Sequence, residues 1–107
     1  FLTPCPIDIK VNDSKKSFAI GSLTLNMYHI PGHSPGSVAL TVESEGKLVL
    51  FGQDVHGPLN DVLKSNRDDY IQSLEFLLSL DADILCEGHF GVYCGREEVK
   101  NFIESFL

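Results

Sequence analysis

The sequence predicts an α/β protein (α+β in strict terms), with one mixed β-sheet and two main helices. Three observations carry that prediction. Short segments alternate apolar and polar residues with a period of two, or run continuously apolar, as strands do. Two later segments place apolar residues at three- and four-residue steps, the pattern of amphipathic helices. A strand, a helix and a further strand also follow one another in that order. Such a crossover makes the flanking strands parallel, while hairpins earlier in the chain make their strands antiparallel.

Each element follows from its residues. Phe18-Ala19-Ile20 meets the next strand across Gly21-Ser22, the Gly-X pattern of a type II′ hairpin in which glycine takes a positive φ. Leu23, Leu25 and Met27 alternate with Ser22, Thr24 and Asn26, giving a half-buried strand that ends near Ile30. Val38, Leu40 and Val42 alternate in the same way. Glu43-Ser44-Glu45-Gly46-Lys47 is polar with a glycine and reads as a hairpin loop. Leu48-Val49-Leu50-Phe51 is a continuous apolar run, expected of a strand covered on both faces. Tyr70, Ile71, Leu74, Leu77 and Leu78 form the stripe of the first helix, with Ser65 and Asp68 placed as a capping box. Ile84-Leu85-Cys86 is the strand after the crossover. Val99, Phe102, Ile103, Phe106 and Leu107 line one face of the last helix, and Glu97 and Glu98 sit in its first turn, where negative charge is favourable.

Strand directions bring three turns together. If the Leu23 strand runs up, the turn Pro31-Gly32-His33-Ser34-Pro35-Gly36 lies at the top edge of the sheet. The Val38 strand runs down and the Leu48 strand runs up, delivering Phe51-Gly52-Gln53-Asp54 to the same edge. The parallel strand at Ile84 delivers Glu87-Gly88-His89 there as well. His33, Asp54 and His89 therefore emerge from one rim, two imidazoles and a carboxylate of the kind that hold zinc. The bland alternatives are a loop histidine bonded to backbone for His33, a turn carboxylate before Gly57-Pro58 for Asp54, and a strand-end residue for His89.

On these segments the chain resembles the C-terminal half of a metallo-β-lactamase-fold hydrolase, over nearly its whole length. In that superfamily a Pro-Gly-His-(Ser/Thr)-x-Gly loop supplies a metal-binding histidine, matched by His33. A strand ending in Gly-Asp supplies an aspartate that commonly bridges two metals, matched by Asp54 with Gln53 inserted after Gly52. A strand ending in Gly-His supplies a further histidine, matched by His89. The resemblance implies half of an αββα sandwich, with one of the two sheets in residues 1–107. It implies two zinc ions per complete site, although iron or manganese suits the same donors. It implies a metal-activated water acting on an ester, thioester, lactone or similar bond of a small-molecule substrate, with Asp54 as the catalytic bridging group.

The chain also departs from the family pattern. The superfamily's upstream His-x-His-x-Asp-His motif has no counterpart here, because the only histidines are His29, His33, His56 and His89. Phe1 is not an initiator methionine, and 107 residues is short for a whole domain of this kind. We therefore expect a piece of a longer chain, inactive alone, whose missing N-terminal half or a second copy covers an apolar sheet face. A non-catalytic binding or assembly module that keeps the fold is the competing class. The joint presence of His33, Asp54 and His89 favours the enzyme, since packing needs none of them. Hydroxyacylglutathione hydrolases bind their thiol carrier through an added basic C-terminal region; Arg96 is the last arginine of this sequence, so the resemblance implies a generic thioesterase-like or lactonase-like hydrolase.

The remaining features set bounds. A formal charge of −7 opposes nucleic acid as a partner, because phosphate binding needs a basic patch and only Lys15 and Lys16 stand together. No apolar run is long enough to cross a membrane. Three cysteines, Cys5, Cys86 and Cys94, make an odd count without close pairing, which suits reduced thiols in the cytoplasm. Cys86 reads as core, and Cys94 as either a small packed residue or a group near the rim. His29 continues the Leu23, Leu25, Met27 parity and reads as structural. His56, two residues beyond Asp54, stands behind the ligands, faces substrate or is simply exposed. Ser34 has a similar supporting or substrate-facing place, and with Gly36 shapes the His33 loop. Gly52 and Gly88 allow close backbone approach.

Overall fold

The computed structural model describes residues 2–107. Among these residues six strands form one sheet in sequence order: β1 (Lys15–Ile20), β2 (Leu23–His29), β3 (Val38–Ser44), β4 (Lys47–Gln53), β5 (Ile84–Glu87) and β6 (Gly91–Cys94). The β4–β5 pair is parallel and every other neighbouring pair is antiparallel, so the sheet is mixed. Helix α1 (Arg67–Ser79) makes the β4–β5 crossover, and α2 (Arg96–Glu104) follows β6. A 3-10 turn spans Asp61–Leu63.

The hairpins show how local chemistry sets the register. Ile20 pairs with Leu23 across Gly21-Ser22, and Gly21 alone of the two takes a positive φ, 59°, as a II′ turn requires. The β3–β4 loop is shorter than the polar run suggests. Ser44 pairs with Lys47, and Glu45 and Gly46 form a two-residue turn with φ of 53° and 77°. Polar residues at the ends of strands pair as readily as apolar ones, because the ladder is made by backbone.

Both helices cover one face of the sheet. Ala39, Leu50 and Leu85 point to that face and are fully buried with Leu74, Leu77, Val99 and Ile103. Each large side chain among them gains about 1.5–3 kcal/mol from leaving water. Tyr28 meets Phe76 of α1 at 5.1 Å, and Tyr93 meets Phe102 of α2 at 4.2 Å, extending the same layer. The ladder alternates, so Val49, Phe51, Ile84 and Cys86 turn to the opposite face, which carries no helix. Within this chain the Leu48 to Phe51 run is covered on one side, and Phe51, on the other, is 40% exposed. Ile20 at 61% and Val92 at 63% continue this apolar face.

Other expectations change in detail. The cap of α1 is Asn66, whose side chain accepts from the Asp69 N–H at 2.9 Å. Ser65 is instead drawn to the His33 loop, so the Ser65–Asp68 capping box does not form. Strand β6 is hidden in the sequence because four residues with a leading glycine show no readable period. Cys86 lies half-buried on the open face rather than in the core. Cys94 is exposed and pairs in register with Ile84, at the end of the sheet away from His89. Arg96 closes the far end, reaching Asp83 at 3.0 Å and Asp81 at 3.4 Å. The Leu48 N–H, bonded at 2.8 Å, and then Arg96 hold the Asp83 carboxyl below its usual range.

Candidate metal centre

Three loops at one rim bring His33, Asp54 and His89 into contact. His33 Nε2 lies 3.5 Å from Asp54 Oδ2, and His89 Nε2 lies 2.7 Å from Asp54 Oδ1. Each of the two histidines thus faces a different oxygen of one carboxylate. His33 and Asp54 are half-buried, and His89 is open to solvent.

The His33 loop is held by contacts from α1 and the turn before it. The Asn66 N–H donates to Gly32 O at 2.8 Å, Ser65 Oγ to His33 O at 2.6 Å, and Ser73 Oγ to Pro31 O at 2.6 Å. Gly32 is required for this docking. Its φ is 145°, and a Cβ there would lie 2.3 Å from Tyr70 Cα. Gly36, by contrast, has no atom within 4 Å of the place a Cβ would take, and is not what shapes the loop. Ser34 shapes it through Ser37, with 2.8 Å between the hydroxyls and 3.1 Å from the Ser34 N–H to Ser37 Oγ. His29 is satisfied by Pro35 O at 2.7 Å, as a structural histidine would be.

Asp54 reaches the rim through a bulge. Phe51 pairs with Cys86 and Gln53 with Glu87, so Gly52 is the extra residue and Gln53 takes a left-handed φ of 54°. This accommodates the glutamine that separates Gly52 from Asp54. A Cβ at Gly52 would come within 2.5 Å of Val55 Cγ2, which fixes glycine at the bulge. The Gly88 N–H then bonds Gln53 O at 2.8 Å and ties the Asp54 and His89 loops together. Below them Tyr70 donates to Val55 O at 2.7 Å. Burial raises the Tyr70 hydroxyl pKa above 10.0; Arg67 opposes this and Glu87 adds to it.

The donor chemistry fits a cation. His33 Nδ1 is 2.7 Å from Pro58 O, and a carbonyl only accepts, so Nδ1 carries the hydrogen. In the neutral ring Nε2 then turns a lone pair toward Asp54 Oδ2, two acceptors face to face with room for a positive ion. Neither lysine nor arginine forms an ion pair with Asp54 among the described residues. Sequence reasoning misses Glu87, a buried carboxylate beside the site whose oxygen lies 2.8 Å from His56 Nδ1. Its parity is the available signal, because Glu87 falls on the same inward side as Leu85. Ser65 and Tyr70 are also missed as supports of the rim.

Comparison with known proteins places this architecture. No family model matches the chain. It is 33% identical over 95 residues to the acyl-coenzyme A thioesterase MBLAC2 of Gallus gallus, covering 83% of this chain and 34% of that protein. The human MBLAC2 is also 33% identical over 95 residues, covering 82% of this chain and 33% of that protein. The chain thus spans about a third of the length of the curated relatives it matches. Among solved structures, the archaeal metallo-beta-lactamase superfamily protein ST1585 from Sulfolobus tokodaii superposes with a TM-score of 0.67 at 17% identity. That match covers 91% of this chain and 38% of the other. A metallo-beta-lactamase from Staphylococcus aureus gives a TM-score of 0.68 at 18% identity, covering 94% and 35%. At those identities the likeness concerns the fold.

Proposed function

We propose that this chain, which shares the fold of the metallo-beta-lactamase proteins it superposes on and is 33% identical to part of acyl-coenzyme A thioesterases, is the C-terminal part of a metal-dependent hydrolase of small molecules. The carrying observation is the shared contact of His33 and His89 with the two oxygens of Asp54. In this reading His33, Asp54 and His89 would hold the metal, with Asp54 as the ligand that two zinc ions would share, and iron or manganese would suit the same donors. When bound, such a pair supplies a hydroxide nucleophile near neutral pH and a Lewis acid for the oxygen under attack.

The chain's own groups hold and orient. Pro58 O fixes the His33 ring through Nδ1, the α1 docking contacts fix its loop, and the Gly88–Gln53 bond fixes the spacing of the other two arms. Of the ester, thioester and lactone bonds open to this chemistry, the thioester is favoured, since the relatives at 33% identity are acyl-coenzyme A thioesterases. Three ligands are too few for two ions, so this chain alone is inactive and a longer protein supplies the rest. The open apolar face, with Phe51 and Val92 exposed, is the surface that the missing half or a second copy covers. A net charge of −7 opposes nucleic acid, no helix among the described residues is long and apolar enough to cross a membrane, and three free thiols suit the cytoplasm.

The test uses the intact protein. Elemental analysis after purification in zinc should find about two metals per chain. Turnover should be fastest on acyl-coenzyme A thioesters when lactones and phosphodiesters are compared. A metal-free intact protein without turnover on any of them would return the chain to the class of binding modules.

A further inference from the structure

His56 has no part in the three-ligand reading, yet it is held by a carboxylate and by two rings at the rim. Its Nδ1 lies 2.8 Å from Glu87 Oε1, and the Glu87 side chain has 0% of its surface exposed. No lysine or arginine pairs with Glu87 among the described residues. Its other partners are the backbone N–H groups of Phe90, at 3.2 Å, and His89, at 3.4 Å to each oxygen. The His56 ring packs edge-on to His89 with centroids 5.0 Å apart and tilted to Phe90 at 4.6 Å. One nitrogen of His56 falls with Asp54 and His89 in a set of donor atoms all within 4.8 Å of one another.

The chemistry of the pair decides which nitrogen is free. Where Glu87 accepts from His56, as it does from the Phe90 N–H, Nδ1 carries the shared hydrogen, and in the neutral ring Nε2 then keeps a lone pair. A histidine that binds metal through one nitrogen characteristically donates the other N–H to a carboxylate or carbonyl. His33 has this arrangement with Pro58 O, and His56 has it with a buried carboxylate. A histidine needed only for packing requires neither a carboxylate nor a place among donor atoms.

We propose that His56 is a further metal-binding imidazole of this centre, on the side of Asp54 and His89, and that Glu87 is its positioning residue. The inference rests on the metal-dependent reading and deepens it, by assigning a ligand outside the three strand-end turns. Zinc affinity of the intact protein, measured by competition with a chromophoric chelator, tests it alongside stoichiometry by elemental analysis. His56→Asn keeps an N–H donor for Glu87 but loses the imidazole, and should weaken zinc binding by about 10–100-fold. Glu87→Gln leaves the imidazole but loosens its hold, and should weaken binding by about tenfold or more. Should Glu87→Gln fail to fold, His56→Asn carries the test, with the zinc-dependent rise in melting temperature as a second readout. Wild-type affinity and stoichiometry in His56→Asn, with both lost in His89→Ala, would overturn the role of His56 and leave the hydrolase reading standing. An intact wild-type protein that binds no zinc would overturn both.

Discussion

Replacing Gly32 by alanine isolates the link between α1 and the His33 loop. The added Cβ would lie 2.3 Å from Tyr70 Cα and 2.5 Å from Tyr70 N, both backbone atoms of a helix that cannot turn aside. Carbon atoms in contact sit about 3.5–4.0 Å apart, so the loop must retreat by more than about 1 Å. That retreat breaks the hydrogen bonds from Asn66 N–H, Ser65 Oγ and Ser73 Oγ. Each contributes about 1 kcal/mol net. Holding alanine at a φ of 145° instead costs about 1–3 kcal/mol of backbone strain before any steric term. Either route predicts a loss of about 3–5 kcal/mol, a large share of a typical domain's stability of about 5–15 kcal/mol. Urea unfolding of the intact protein measures it directly. Gly36→Ala is the matched control: nothing lies within 4 Å of its Cβ, so its change should stay within about 0.5 kcal/mol. A Gly32→Ala loss below about 1 kcal/mol, or equal losses at both glycines, would refute the docking account.

Three further outcomes follow from the same geometry. Asp54→Asn leaves His33 and His89 without their shared carboxylate, and zinc affinity of the intact protein should fall by more than about tenfold, with hydrolysis falling alongside. Tyr70→Phe removes the 2.7 Å bond to Val55 O; unfolding should show a loss of about 1–2 kcal/mol, and no measurable loss would mean that water replaces the hydroxyl. Asp83 has its folded pKa held below the ordinary 3.8, first by the Leu48 N–H and then by Arg96. Its contribution is present above the unfolded value and disappears as pH falls through the folded one. Melting temperature followed down the acid range should decline less steeply in Asp83→Asn than in the wild type.

Much of this fold is legible because its signals are local. The alternation at Leu23, Leu25 and Met27, the Gly21-Ser22 turn and the stripe at Leu74 and Leu77 each need only neighbouring residues. The directions of successive strands then carry His33, Asp54 and His89 to one rim without any distance being known. What stays hidden depends on long-range contact. Ser65 reads as a cap partner because hydroxyls before helices cap them, but the His33 carbonyl, 32 residues away, takes its hydrogen. Glu87 stands at the end of an apolar strand, where a carboxylate ordinarily turns to water; the His56 ring, 31 residues distant, joins the Phe90 N–H in holding it enclosed. The inserted Gln53 looks like a break in the Gly-Asp pattern, and a bulge with a left-handed residue absorbs it. Cys94 can be placed at the far end only through its pairing with Ile84.

The rim is mechanically two pieces. Asp54 and His89 ride on adjacent parallel strands laced by the Gly88–Gln53 bond, whereas His33 is carried by a loop hung from the first turn of α1. An ion gripped by both pieces would act as a clasp across the crossover, slowing the fraying of that helix end. Amide hydrogens around Asn66 and Tyr70 would then exchange more slowly in the zinc-loaded protein than in the stripped one, while those in the middle of β3 would report no difference.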